Sequence, residues 1–326
     1  MSRRIPAEEI SCAVSYSCGV FCVTTNVLLI AGAGRSGSTF LSQLLSQNDD
    51  CQNVGQIRHL PMSMHKGWQC SCGEALPLCR YWGQVAAQMV KAHGSTAMEE
   101  LRDGFAAFQK TSNQTSNWSD TSVRRAISDA HPRFLELLTS LYRFASTEAN
   151  NRVLIDSSKV PNLALALQLA EGINLHILNL VRDPRAVAVS WSKLVKKPDV
   201  LRQRARNWNK RVNMMQELQE LAGENFLQLK YEDFASTPQP VLEQIQAWAG
   251  LTQDTGFFTG PQSAEISWER THLFPPANEE VLQKQATNIE IRPASSWKSE
   301  AHAEVRKMAE EINFPKASKL GYSKAL

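Results

Sequence analysis

The sequence predicts an α/β fold: a central parallel sheet with helices on both faces, in three layers. Two observations point to it. Val27–Ala31 is a short, unbroken apolar run and Leu175–Val181 a largely apolar one interrupted by His176 and Asn179, both of strand length, as strands buried in a parallel sheet require. Each is followed by a glycine- or proline-marked junction and then a stretch of helical period, the rhythm of βα units. The chain has 326 residues, 43% hydrophobic and 21% charged, a composition that can bury a substantial core and excludes a disordered or fibrous protein. Its 35 basic and 32 acidic residues nearly cancel, which gives no electrostatic case for a nucleic-acid partner.

The elements follow in order. Ile10–Gly34 is uncharged for 25 residues behind Arg3 and Arg4, long enough for a bilayer span. Ser11, Ser15, Tyr16, Ser17, Thr24, Thr25 and Asn26 dilute it, and Val27–Ala31 reads better as a buried strand. Residues 1–23 are therefore expected to be a ragged extension and residues 24–326 one domain. Membrane association is not expected and the location is cytoplasmic, anchoring through this segment being the alternative. Ser38–Ser46 has helical periodicity. A second unit pairs the strand Val153–Asp156 with a helix over Leu163–Ala170 that Gly172 ends. After Leu175–Val181 a helix opens at Pro184. Phe226–Tyr231 reads as a strand and Pro240–Ala249 as a helix stopped by Gly250. Residues from about 51 to 150 break the rhythm, with a polar loop at Thr111–Thr121 and a long helix after Pro132. They form a mostly helical insertion after the first α/β unit, a natural place for acceptor selection. Beyond Leu251 the pattern is irregular until a helix at Ser299–Ile312.

All seven cysteines lie within the first 79 residues, so they are no secreted disulfide framework. Cys70-Ser71-Cys72-Gly73 and Cys79 suit either a disulfide or three zinc ligands, with His65 or Cys51 as a fourth. Only one of the two hooks of a usual zinc site is complete, and no metal is expected.

The strongest local signal is Gly32-Ala33-Gly34-Arg35-Ser36-Gly37-Ser38-Thr39, a strand running through glycines into a helix. Such a junction turns backbone N–H groups and the positive end of a helix dipole toward an anion. The spacing from Gly32 to Gly37 is that of a nucleoside-triphosphate P-loop, but Ser38 stands where the lysine should. Asp183, the sole candidate for a magnesium carboxylate, is followed by proline. A kinase is disfavoured and a P-loop-like phosphate cradle remains. In the stretch Leu180–Ser190, Arg182 at a strand end and Ser190 two helical turns on can converge on a second anion. Two separated phosphates suit the pair of sites.

These residues resemble the sulfotransferases. The resemblance rests on Arg35–Leu41 after one strand, Arg182–Ser190 after another, and Tyr231-Glu232-Asp233-Phe234 before a helix ending at Gly250-Leu251. It covers about Val27 to Leu251, and arginine in the first motif is closer to the carbohydrate and protein-tyrosine branches. The resemblance implies 3′-phosphoadenosine 5′-phosphosulfate as sulfuryl donor and a hydroxyl acceptor, a glycan or other small molecule. The 5′-phosphosulfate would lie on Gly34, Arg35, Ser36, Gly37, Ser38, Thr39 and Phe40, and the 3′-phosphate on Arg182 and Ser190. Tyr231 would contact the phosphoadenosine, and Trp297 would pack against it. Arg35 is the candidate for the leaving-group oxygen, and Lys159 matches a family lysine that reaches the sulfonyl oxygens. No metal is required, since these cations supply the charge.

A general base is less evident. Bacterial members sharing Val54-Gly55-x-x-Arg58 and the later cysteine pattern carry a carboxylate after that glycine, where this chain has Gln56. His59 is the nearest substitute, titrating near 6.5 when unperturbed, with His65, Asp156 and His272 as further candidates. A phosphoadenosine-binding homologue impaired in catalysis is the alternative. Eight basic residues and one acid between Lys193 and Arg211 read as a solvated helix face or as a rim for an anionic acceptor or donor.

Overall fold

Thr25–Gly32 (β1) is buried along nearly its whole length and forms the centre of a five-stranded sheet. The structure is a computed structural model that describes residues 24–276 and 284–324. The expected N-terminal extension, with Cys12, Cys18 and Cys22, lies outside the described residues. After β1 come α1 (Ser38–Leu45) and β2 (Cys51–Gly55). The helices α2 (Leu60–His65), α3 (Trp82–His93), α4 (Ala97–Gln114), α5 (Thr121–Ala130) and α6 (Pro132–Glu148) follow. Then β3 (Val153–Lys159), α7 (Pro161–Leu169), β4 (Ile173–Val181), α8 (Pro184–Ser192), α9 (Pro198–Ala222) and β5 (Phe226–Lys230) restore the alternation. The helices α10 (Tyr231–Ser236) and α11 (Pro238–Trp248) precede a small antiparallel sheet of β6 (Phe258–Gly260), β7 (Ser263–Glu265) and β8 (Asn288–Glu290). Ala303–Ala317 (α12) is the last helix described.

The main sheet has the order β2-β3-β1-β4-β5 and every pair in it is parallel. All five strands therefore end at one edge. Alternate residues along β1 explain the layers. Val27 and Leu29 join Leu154, Ile177, Leu163, Leu141 and Leu218 on one face, while Leu28 and Ile30 join Ile155, Leu178, Leu41, Leu44 and Ile245 on the other. The helix α7 is apolar all round because it packs on the sheet and is covered by α4, α6 and α9.

The differences from expectation have local causes. Cys51–Gly55, assigned to the insertion, is an edge strand of the main sheet. Its polar Gln52 and Asn53 hide the pattern, and both are buried and hydrogen-bonded, Gln52 Nε2 to Arg270 O at 2.7 Å and Gly55 N to Asn53 Oδ1 at 2.9 Å. The helical segment accordingly begins after Gly55. Tyr231 opens α10 rather than closing β5. The final helix starts four residues later than expected, after two 3₁₀ turns, and runs through Pro315. No helix among the described residues is long and apolar enough to cross a membrane.

Candidate active site

The turn between β1 and α1 is built by backbone conformations that few side chains tolerate. Gly32 has φ 118°, and a Cβ there would stand 2.7 Å from Leu180 O. Gly37 has φ 86°, and a Cβ would meet the Tyr231 ring at 2.7 Å. Between them Arg35 itself adopts φ 72°, a left-handed conformation that costs a non-glycine residue about 1–2 kcal/mol. The N-cap of α1 is Gly37, which has no side chain to occupy the helix's first N–H groups. Ser36 Oγ and Ser38 Oγ are buried in the same turn without a hydrogen-bond partner. A concave array of donors results, with the positive end of α1 behind it.

The second anion motif lies against this turn. Arg182 Nη1 donates to Arg35 O at 2.8 Å, and the Arg182 guanidinium lies over the Tyr231 ring, 4.2 Å from its centroid. Arg35 Nε donates to Ser190 Oγ at 2.9 Å. The structure thus brings Arg35, Gly37, Arg182, Ser190 and Tyr231 into one constellation, and Phe40 packs against Phe234 just behind it. Arg182 Nε is buried and unpartnered. Burial pushes the Arg182 pKa down, with Tyr231 and Glu232 opposing. Trp297 sits further out on the flank of α8, packed on Ala186 and Val189 with the Arg185 guanidinium 5.1 Å from its ring. Asp183 is no metal ligand here: it caps α8 through Arg185 N at 2.8 Å and pairs with the buried Arg185 guanidinium at 2.8 Å.

A cationic cluster occupies the ends of β2 and β3. Lys159 closes β3 in a left-handed conformation, φ 65°. Burial, then Arg58, and further Arg211 and Arg35 push its ammonium pKa down to about 7, against the pull of Asp156. Arg211 Nη1 donates to Gly32 O at 2.6 Å and Lys159 O at 2.9 Å, which ties α9 to both strand ends. Arg58 is held below its ordinary pKa by burial, and its Nε has no partner. Arg58 stood only in a family pattern, and Arg211 was hidden among seven other basic residues, all of which are exposed.

The base candidates separate. His59 lies beside Arg58 and Lys159, and burial followed by those two charges lowers its pKa to about 4 rather than 6.5. Gln56 is buried directly after β2. Asp156 is not available: fully buried, it accepts from Tyr142 Oη at 2.5 Å and Ser158 N at 2.7 Å. His65 is exposed on the last turn of α2. His272 belongs elsewhere, with Cys70, Cys72 and Cys79, so neither His65 nor Cys51 completes that group.

A model of the sulfotransferase family matches residues 28–255. The chain belongs to that family and is a transferase. No curated protein sequence matches it. Among solved structures, the sulfotransferase domain of the Synechococcus PCC 7002 olefin synthase is 21% identical, with 92% of this chain and 96% of that one aligned and a TM-score of 0.47. The sulfotransferase domain of the curacin biosynthetic pathway is 18% identical over 92% and 98%, TM-score 0.42. A sulfotransferase from Mycobacterium avium is 14% identical over 71% and 65%, TM-score 0.44.

Proposed function

We propose that the chain moves a sulfuryl group from 3′-phosphoadenosine 5′-phosphosulfate to a hydroxyl acceptor, and that the acceptor is a carbohydrate. The observation that carries the donor is that five of the seven buried side-chain polar atoms without partners among the described residues are Ser36 Oγ, Ser38 Oγ, Ser158 Oγ, Arg58 Nε and Arg182 Nε. All five line the carboxyl edge of the sheet, and leaving them unpaired is costly, so an anion with several oxygens fits them. When bound, the donor supplies a sulfuryl group on a phosphate leaving group. The residues divide the work around it. Arg182 and Ser190 hold the 3′-phosphate, Tyr231 and Trp297 border the nucleoside, and Gly34 to Phe40 cradle the 5′ end. Transfer through a loose, in-line transition state needs positioned charge more than covalent help. Arg35 answers charge on the leaving oxygen, and Lys159 with Arg58 meets the sulfonyl oxygens. His59, neutral at ordinary pH, is placed to accept the acceptor's proton, and Gln56 to orient its hydroxyl.

The exposed basic face of α9, including Arg202, Arg206 and Lys210, favours an acidic glycan. A second reading has its own observation: beside Arg58 a narrow cleft is lined by Ile57, Leu101, Phe105, Phe134 and Leu163, which suits a small acceptor with an apolar body. The reading extends to a cytoplasmic location, supported by unbridged thiols at Cys51, Cys70, Cys72 and Cys79.

Thermal shift with 3′-phosphoadenosine 5′-phosphate, 5′-AMP and ATP tests the donor. The expected order places the first far ahead, and equal or greater stabilisation by ATP would reject it. Sulfation of radiolabelled acidic glycans against phenolic acceptors then decides the acceptor. No turnover on any acceptor would leave a binding protein.

A further inference from the structure

We infer that Cys70, Cys72, Cys79 and His272 form a tetrahedral zinc site that staples the loop between α2 and α3 to the segment between β7 and β8 of the small sheet. Their four ligand atoms lie within 4.8 Å of one another. Cys72 Sγ and Cys70 Sγ are each 3.7 Å from Cys79 Sγ, and His272 Nδ1 is 3.3 Å from Cys79 Sγ and 3.6 Å from Cys70 Sγ. A tetrahedron with Zn–S of about 2.3 Å and Zn–N of about 2.0 Å has edges of roughly 3.5–3.8 Å. A disulfide would bring two sulfurs to about 2.05 Å. The four atoms are spaced for a metal and not for a bridge.

The surrounding chain is arranged to hold that spacing. Gly73, at φ 92°, turns the backbone after Cys72, and Gly73 N donates to Cys70 O at 2.9 Å. Cys79 follows a 3₁₀ turn, Leu76–Leu78. The fourth ligand arrives from some 200 residues away, which is why one hook alone was visible in the sequence. Ser71 clamps its segment, N to Leu273 O at 2.8 Å and Oγ to Thr271 O at 2.6 Å. The His272 ring stacks on Tyr81 at 5.1 Å, and Trp82 Nε1 donates to His272 O at 2.6 Å. Cys70, Cys79 and His272 are buried. Three thiolates and an imidazole select zinc over calcium or magnesium, and four protein ligands leave no open position for substrate. The site is structural: three thiols give up protons as the metal binds, and the binding free energy becomes folding free energy. Its neighbours reach the acceptor side, since Ser63 Oγ of α2 donates to Pro275 O at 2.9 Å and Gln52 of β2 to Arg270 O.

The full chain, expressed with zinc and dialysed against metal-free buffer, should retain one zinc per chain by elemental analysis. Cobalt substitution should give the intense ligand-field bands of a tetrahedral thiolate site. A strong chelator should lower the thermal midpoint, and Cys72→Ser or His272→Asn should each lose most of the metal. Less than a tenth of a zinc per chain, a disulfide among Cys70, Cys72 and Cys79 in peptide mapping, or unchanged zinc in both variants would overturn the assignment. If both variants fail to fold, the wild-type zinc content and cobalt spectrum decide.

Discussion

Lys159 is a cation folded into a cluster of cations, and the sign of its pKa shift has a measurable consequence. Its ordinary value of 10.5 falls to about 7, so between those pH values the unfolded chain holds a proton that the folded chain has released. Stability conferred by this group rises with pH across that window, and below about pH 7 the full cost of burying the charge is present. An anion placed against it reverses the shift. Binding of 3′-phosphoadenosine 5′-phosphate at pH 8 should therefore take up close to one proton, measured by calorimetry in buffers of different ionisation enthalpy. Lys159→Met should abolish the uptake, and proton-neutral binding by the wild type would remove Lys159 from the anion site. His59 obeys the same logic. Lowered to about 4, it gives no inflection near 6.5 in the kcat/KM profile of the wild type. Gln56→Glu should raise turnover, up to the ~10²–10⁴-fold of a positioned base. Unchanged turnover in Gln56→Glu together with full activity in His59→Ala would place the base elsewhere. Arg35, Arg182, Ser190 and Tyr231 were legible in the sequence because their spacing carries their geometry. The surroundings of Arg58, Arg211 and His272 were not, since each meets its neighbours only when distant segments come together.

At the scale of elements, α8 sets the distance between Arg182 and Ser190, and its N-terminus is locked from below. The buried Arg185 guanidinium pairs with Asp183 at 2.8 Å and Glu310 at 3.1 Å, and donates to the carbonyls of Ser323 and Lys324. Asp183 N donates to Glu232 Oε1, and Tyr322 Oη donates to the same carboxylate's Oε2. Removing one partner of a buried pair strands the other's charge. Arg185→Met should cost about 3–5 kcal/mol in denaturant unfolding and weaken nucleotide binding as well, by releasing the start of α8. A loss below about 1 kcal/mol would show that Glu310 and Asp183 find other partners. The mainly apolar runs that became β1 and β4 were legible because burial on both faces favours that composition, though β4 also takes up the buried Asn179. The edge strand β2 was not, since its polar residues are satisfied only in the folded chain, Gln52 by Arg270 more than 200 positions away and Asn53 by Gly55 N and the α1 side chains Ser42 and Gln43.

The whole molecule orders its site by the order of its sheet. From one side to the other, the carboxyl edge presents Gln56, Arg58 and His59 after β2, Lys159 on β3, the glycine turn after β1, Arg182 after β4 and Tyr231 after β5. On the proposed reading, acceptor chemistry falls at the β2 end and nucleotide recognition at the β5 end, with β1 between them because the connection from β1 to β2 runs to one side of it and that from β3 to β4 crosses to the other. A ligand in this groove touches segments that are far apart in sequence and joined only through the sheet. Hydrogen exchange should therefore register 3′-phosphoadenosine 5′-phosphate as simultaneous protection of residues 34–41, 182–190 and 231–236, with α5, remote in the insertion, unchanged. At a ligand concentration about a hundred times Kd the accompanying stabilisation is about 2.7 kcal/mol. Arg182→Ala should reduce protection in all three segments together, because they share one ligand rather than three independent contacts. Protection confined to the glycine turn would mean that the second anion motif does not hold the nucleotide, and that the two ends of the groove are not joined by one donor.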